Sequence, residues 1–250
     1  MIAFLISTLV DLFIYLGVPM GLWISFRILK YPDLAIEQLF IFGGAIFCYG
    51  LVNEMSIISI IIIIIIQSFL LGLLLSFFRF KFKIHPIILS LGSGYIYYSL
   101  SLFFLNGPNV HLGTRIGKIH DINFLLISLL IDIVLVMSYF VFFKNKNGIK
   151  IIAVGSNQEL VKQFGISRIF WGGLGLALSF ILIQISGLLY VYHSRNIDIS
   201  NGSGLLLISI FVVVISRVLD SRINILRNSI YILYFLLFYL LIINLVVGLG

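Results

Sequence analysis

The chain has 250 residues, of which 61% are hydrophobic and only 10% charged, with a formal net charge of +7. A soluble domain carries roughly 25% charged residues, and no soluble fold of this length buries so much apolar surface, so the solvent is lipid. One cysteine, Cys48, excludes an internal disulfide framework and a cysteine metal site; the basic residues are spread over several connections, which excludes a nucleic-acid partner and gives them a role in orientation.

Apolar runs bounded by charge, Pro or Gly predict about eight membrane segments, at roughly 2–25, 35–53, 56–78, 85–105, 122–143, 169–191, 203–219 and 229–248. The expected fold class is all-α, a polytopic membrane bundle forming one domain over residues 1–250. The first segment has no basic start and no small-residue cleavage site before Trp23, so it reads as a span and not as a cleavable signal. Alternating sides put thirteen of the sixteen Lys and Arg on one face, leaving Arg115, Lys118 and Arg195 on the other. This positive-inside asymmetry predicts a cytoplasmic basic face, both termini outside, and a multi-pass membrane protein.

The first segment carries Asp11 near its middle and the fifth carries Asp132. A carboxylate at that depth costs roughly 2.5–3.5 kcal/mol on insertion scales, so each is expected inside the bundle, as a structural hydrogen-bonding group or as an ion contact. Between the first two segments runs Phe26-Arg27-Ile28-Leu29-Lys30-Tyr31-Pro32-Asp33-Leu34-Ala35-Ile36-Glu37. Pro32 disfavours helix at Tyr31 and suits the start of the next one. Asp33 and Glu37 fall in its opening turns, where the macrodipole favours negative charge, and being four apart they share a face. The stretch fits a charged helix start at the membrane surface or a broken-helix element near a translocation path. Gly43 and Gly44 follow and permit close packing.

Ile60–Ile66 is an unbroken isoleucine run with no chemistry in it. His85-Pro86 opens the fourth segment, with the histidine expected at the interface or as a cap. Gly92, Ser93 and Gly94 predict a small-residue packing face, and Tyr95, Tyr97 and Tyr98 suit either a path lining or interfacial anchoring. Asn106-Gly107-Pro108-Asn109 is a turn. His111, Arg115, Lys118, His120 and Asp121 share the next outer loop, but without regular ligand spacing, so no metal is expected and the loop reads as a solvated contact surface. Gly172, Gly173, Gly175 and Ala177 predict a second close-packing face, continued by Gln184, Ser186 and Gly187.

The longest polar interval is 144–168, a cytoplasmic loop. Ser156 and Glu159 have capping-box spacing, and Gly165 suits a left-handed helix stop. Between them the sequence predicts about two turns of helix with Leu160, Val161 and Phe164 on one side. A helix this short needs a surface to dock on. Anionic lipid heads and the groove of a cytoplasmic ATPase both suit a basic loop with an apolar helix side.

Three stretches, in order along nearly the whole chain, resemble ABC importer permeases of the branched-chain amino acid and ribose type. Ala153-Val154-Gly155-Ser156-Asn157 with Phe164-Gly165-Ile166 is similar to their A-x-G-x-N and A-x-x-x-G-I. Phe26 to Leu34 is similar to the F-R-x-L-x-F-P-D-L of the tryptophan/tyrosine-like subgroup, and Gly107-Pro108-Asn109-Val110 resembles its G-x-P-N-I/V turn. The chain departs from the pattern at Val161, where a small Ala is common nearby, and at Glu37-Gln38-Leu39, where the subgroup has D-G-S. Family members also continue through a further span beyond the position of Gly250.

The resemblance implies the permease subunit of an ABC importer, which moves a small solute such as an amino acid and has no cofactor and no catalytic residues. It implies a cytoplasmic ATP-binding subunit, a second permease copy in a homodimer, and an extracytoplasmic substrate-binding protein. The chain contains no G-x-x-x-x-G-K-[ST], so ATP hydrolysis belongs to another chain. Gly155, Asn157, Glu159, Leu160, Val161, Phe164, Gly165 and Ile166 are expected to couple to the ATPase, and Asp33, Glu37, Gly43 and Gly44 to line the path. The rival reading is a self-contained, proton-coupled secondary transporter using Asp11 or Asp132.

Overall fold

A computed structural model describes residues 2–113, 121–219 and 225–249. Seven of its helices are long and apolar enough to cross a membrane, and an eighth, Ile36–Val52, is shorter. These match the eight expected segments one for one. The expected loop positions Arg115, Lys118, His120 and Arg222 lie outside the described residues.

The first span is a continuous rod of α1 (Ile2–Tyr15), α2 (Gly17–Leu22) and a π-helical turn, Trp23–Ile28. Leu29 N–H bonds back to Ile24 O at 3.1 Å, and Tyr31 N–H to Ser25 O at 2.8 Å. The chain then leaves the helix, with Lys30 at φ 51°, and resumes as α3 (Ile36–Val52). At 1.5 Å per residue, the 17 residues of α3 span about 25 Å, short of a hydrocarbon core of about 30 Å. The sequence leaves this start either at the membrane surface or as a broken-helix element; its first turn lies inside the bundle, with Tyr31, Ala35 and Ile36 fully buried.

Non-helical backbone at such depth survives only where protein satisfies it. Arg79, near the end of α4 (Ile57–Lys81), does so here. Its guanidinium donates to Leu29 O and to Lys30 O, each at 3.2 Å, and lies 5.6 Å from the Tyr31 ring centre.

The centre of the bundle is α9 (Arg168–Ser194), packed along α3 and α4 and against α2. Small residues let the backbones approach. A β-carbon at Gly72 would come within 2.5 Å of Gly173 O, and one at Gly175 within 2.7 Å of Ile151. Ser179 Oγ donates to Gly21 O at 2.7 Å, fixing α9 to α2. Gln67 of α4 donates to Gln184 of α9 in the apolar interior. The small-residue face expected on α9 therefore carries the packing. On α5 (Pro86–Leu105) the expected face packs in part: Ser93 is buried and a β-carbon at Gly94 would lie 3.4 Å from Ala35, whereas one at Gly92 would meet nothing within 4 Å. His85 caps this helix, accepting from Ile87 N–H at 3.3 Å.

At one end of the bundle, β1 (Asn109–His111) pairs antiparallel with β2 (Asn196–Asp198). This small ladder stands where sequence alone suggested a solvated loop. It leads through a 3-10 turn (Ile199–Gly202) into α10 (Leu205–Leu219), which at 15 residues is also short. The remaining long helices, α6 (Asp121–Lys144) and α11 (Ile225–Leu249), pack on α1. Asn244 Nδ2 of α11 donates to Thr8 Oγ1 at 3.1 Å and to Asp11 at 3.4 Å. Asp132 on α6 is buried, and its Oδ2 finds no partner among the described residues.

Candidate translocation face and coupling loop

Two short helices begin inside the protein, and their first turns meet. Glu37, in the first turn of α3, accepts with Oε1 from Gly204 N–H at 2.8 Å and Leu206 N–H at 3.3 Å. A carboxylate at a helix N-terminus satisfies orphan donors and complements the macrodipole. Sequence placed Glu37 at the start of its own helix; the structure uses it to cap α10, 167 residues further along the chain. Asp33 is 2% exposed. Its Oδ1 accepts from Ala35 N–H at 3.0 Å, while Oδ2 has no partner among the described residues. The hydroxyls of Tyr31 and Tyr97 are buried in the same condition.

Two cavities lie along α3 and α5. One, of about 340 Å³, is lined by Leu34, Gln38, Ser90, Gly94, Tyr95 and Tyr98 among others. The other, of about 240 Å³, is lined by Glu37, Gln38, Tyr98, Ser101, Ser200 and Ser203 among others. Asp198 organises the latter by accepting from Ser200 N–H at 2.7 Å and Ser200 Oγ at 2.5 Å. Those hydrogen bonds, the side-chain one first, hold the exposed Asp198 carboxyl below its ordinary range.

Of the four residues expected to line the path, Glu37 lines one of these two cavities. Gly43 and Gly44 lie against α9 instead: a β-carbon at Gly43 would overlap the Gln184 backbone, and one at Gly44 would come within 2.7 Å of Val191. Gln38, Tyr98, Ser101, Ser200 and Ser203 were not singled out as a group. They lie on three separated stretches, and only folding brings them together.

The 144–168 interval holds two helices, α7 (Lys146–Ser156) and α8 (Gln158–Gln163), where one was expected. The signal for α7 was the buried set Gly148, Ile151, Val154 and Gly155 at helical spacing, obscured by the polar Lys-Asn-Lys-Asn lead. Lys150 Nζ lies 4.6 Å from the Trp171 ring centre and fastens α7 to α9. The cap also shifts. Ser156 Oγ donates back to Ala153 O at 3.1 Å, and Asn157 Oδ1 accepts from Glu159 N–H at 3.1 Å. Gly165 adopts φ 67°, and Ile166 N–H closes on Val161 O at 3.0 Å, so this left-handed position stops α8.

The single apolar side expected on α8 is split. Val161 is 2% exposed and Phe164 77% exposed; the side chain of Leu160 lies outside the described ones. Phe164 lies one residue beyond the end of α8, where the chain turns into the left-handed Gly165, so it faces away while Val161, within the helix, anchors inward. Gly155, at the end of α7, packs directly on the π-helical turn, with a β-carbon there overlapping the Ile28 carbonyl oxygen.

Comparison with known proteins accounts for this architecture. Residues 4–247 match the family model described as branched-chain amino acid transport system / permease component. A tyrosine transport system permease protein of Clostridioides difficile is 24% identical over 226 residues, 90% of this chain and 77% of that protein. An uncharacterized protein of Rickettsia prowazekii is 26% identical over 216 residues, 85% of this chain and 76% of that one. No solved structure matches. The chain belongs to the branched-chain amino acid transport system permease family: it is a multi-pass ABC importer permease of the bacterial inner membrane, a transport subunit and not an enzyme.

Proposed function

We propose that this permease carries a small solute, an amino acid or a related compound, along the α3–α5 face, using ATP hydrolysed by a separate cytoplasmic subunit. Two copies form a homodimer, and an extracytoplasmic binding protein delivers the solute. The face closes against the second copy, because α5 presents Ile88, Leu91 and Tyr95, 49% to 76% exposed, along one side. Asp33 and Glu37 serve the path from the break before α3, while Gly43 and Gly44 hold α3 on the α9 scaffold behind it.

The observation that carries this reading is a short mechanical link. Phe164 stands out from α8 for a partner to grip, and Gly155, at the end of the adjoining α7, bears on Ile28. Ile28 ends the π-helical turn from which the chain breaks toward Asp33 and Glu37. ATP-driven closure of the ATPase pair would move α8 and α7, shift this turn, and exchange access at the face. Gly155, Asn157, Glu159, Leu160, Val161, Phe164, Gly165 and Ile166 thus form the coupling element: Asn157 and Gly165 define its ends, Val161 anchors it, and Phe164 meets the partner.

A second reading, proton-coupled transport without an ATPase, is favoured by the unpartnered carboxyl oxygen of the buried Asp132. Reconstitution of the chain alone under an imposed proton gradient separates the two. No uptake without the ATPase is expected; gradient-driven uptake by the permease alone would overturn the importer reading.

A further inference from the structure

The cavities along α3 and α5 are two chambers with a shared boundary. Gln38 and Tyr98 line both. The order along each helix agrees. On α5, Ser90, Gly94 and Tyr95 line the first chamber, Tyr98 lines both, and Ser101 lines the second. Leu34, just before α3, lines the first, and on α3 Gln38 lines both and Ile41 the second. The two helices run in the same direction, away from the basic ends of the flanking spans, so the first chamber is the inner one and the second the outer one.

We propose that Gln38 and Tyr98 form a gate across the translocation path, the floor of an outer solute chamber and the ceiling of an inner one. This rests on the reading of the α3–α5 face as the path. The boundary is thin: Tyr98 and Ser101 are three residues apart, about 4.5 Å along the helix. It is also movable. Neither the Gln38 amide nor the Tyr98 hydroxyl hydrogen-bonds a described residue, so turning either side chain breaks no bond. The backbone on either side is held. Asp33 binds Ala35 N–H before Gln38, and Tyr97, next to Tyr98, is buried against Phe42 with ring centres 5.7 Å apart. Gln38 and Tyr98 are the two side chains that line both chambers.

The chemistry of the chambers differs in a way that suits a gate. The outer one is lined by Glu37, Ser101, Ser200 and Ser203. The donors of two of these hydroxyls are already spent, Ser101 Oγ on Tyr97 O at 2.8 Å and Ser200 Oγ on Asp198. Glu37 spends Oε1 on the α10 start, and its other oxygen bonds no described residue. The chamber is therefore rich in acceptors and fits a solute that brings donors. Its volume of about 240 Å³ equals roughly eight waters at about 30 Å³ each, so the solute it admits is small. The inner chamber has Leu34, Leu91 and Tyr95 in its walls and offers less to hold a polar solute back.

Cysteine accessibility in vesicles tests the gate. The permease is made together with its partner subunits, in a Cys48→Ser background, without nucleotide. Ser203→Cys reports the outer chamber and Leu91→Cys the inner one, and a membrane-impermeant thiol reagent is applied from one side at a time. Ser203→Cys is expected to react from outside only and Leu91→Cys from the cytoplasmic side only. Truncating the gate with Gln38→Ala and Tyr98→Ala should raise cytoplasmic labelling of Ser203→Cys at least tenfold, while Tyr98→Phe, which keeps the ring, should not. Equal labelling of Ser203→Cys from both sides in the intact gate, or no rise on truncation, overturns the gate alone. Failure of both cysteines to react from either side overturns the underlying reading of this face as the path. Membrane yield and thermal stability of the truncated form, compared with Tyr98→Phe, separate opening of the gate from loss of fold.

Discussion

Gly155 lies so close to Ile28 that a β-carbon at position 155 would overlap the Ile28 carbonyl oxygen. The end of α7 and the π-helical turn of the first span therefore move as one contact. Overpacking a site of this kind costs about 1–3 kcal/mol, and here the opposing atom belongs to backbone that has no rotamer to yield. Gly155→Ala is expected to lower the detergent-solubilised melting temperature and to impair transport more than ATPase binding, as measured by thermal denaturation and by copurification.

Val161 and Phe164 separate anchoring from coupling. Val161→Asp places a carboxylate in a buried site with no partner and is expected to destabilise the loop by several kcal/mol, read as a loss of folded protein. Phe164→Asp changes a side chain that is 77% exposed. It should leave membrane insertion and melting unchanged and abolish copurification of the ATPase; undiminished copurification would remove Phe164 from the coupling surface.

Glu37 caps α10 across the bundle. Glu37→Ala removes the acceptor of two N–H groups, and caps are worth about 0.5–2 kcal/mol. A loss of that order in thermal stability is expected, together with loss of uptake. Glu37→Gln keeps an acceptor oxygen and should recover most of the stability, so a stability assay beside an uptake assay divides capping from any contact with solute.

Arg79 holds the broken backbone at Leu29 and Lys30. Arg79→Ala strands the carbonyl of the buried Leu29, at about 1–3 kcal/mol for a group left unsatisfied. Arg79→Lys keeps the charge but not the planar fork that reaches both carbonyls. Both variants are expected to melt lower than wild type, with Lys intermediate.

The Asp198 carboxylate is stabilised by Ser200, so its folded-state pKa lies below the unfolded one. Its contribution is therefore complete above the ordinary carboxylate range and is lost as pH falls through the lowered value. Hydrogen exchange over residues 196–203, corrected for intrinsic rates, should stay constant across neutral pH and rise only below that range. Asp198→Asn should remove the acid transition.

Much of this protein could be read before folding it. Lipid as solvent, eight apolar segments, the basic face and the helix stop at Gly165 all follow from local composition and spacing, because a bilayer imposes length and polarity on each segment separately. The family pattern at Phe26–Leu34 and Ala153–Asn157 was legible for the same reason: its residues are contiguous. Tertiary structure alone decided that α3 starts inside the bundle, since that depends on Arg79 reaching Leu29 from another helix. It decided that Glu37 caps α10, that Gly43 and Gly44 face α9, and that Val161 and Phe164 point apart. It also brought Gln38 and Tyr98, on separate helices, together as residues that line both cavities. Each of these is a relation between residues far apart in the chain, and no local propensity or hydrophobic period encodes which distant backbone will satisfy a freed carbonyl or a bare helix end.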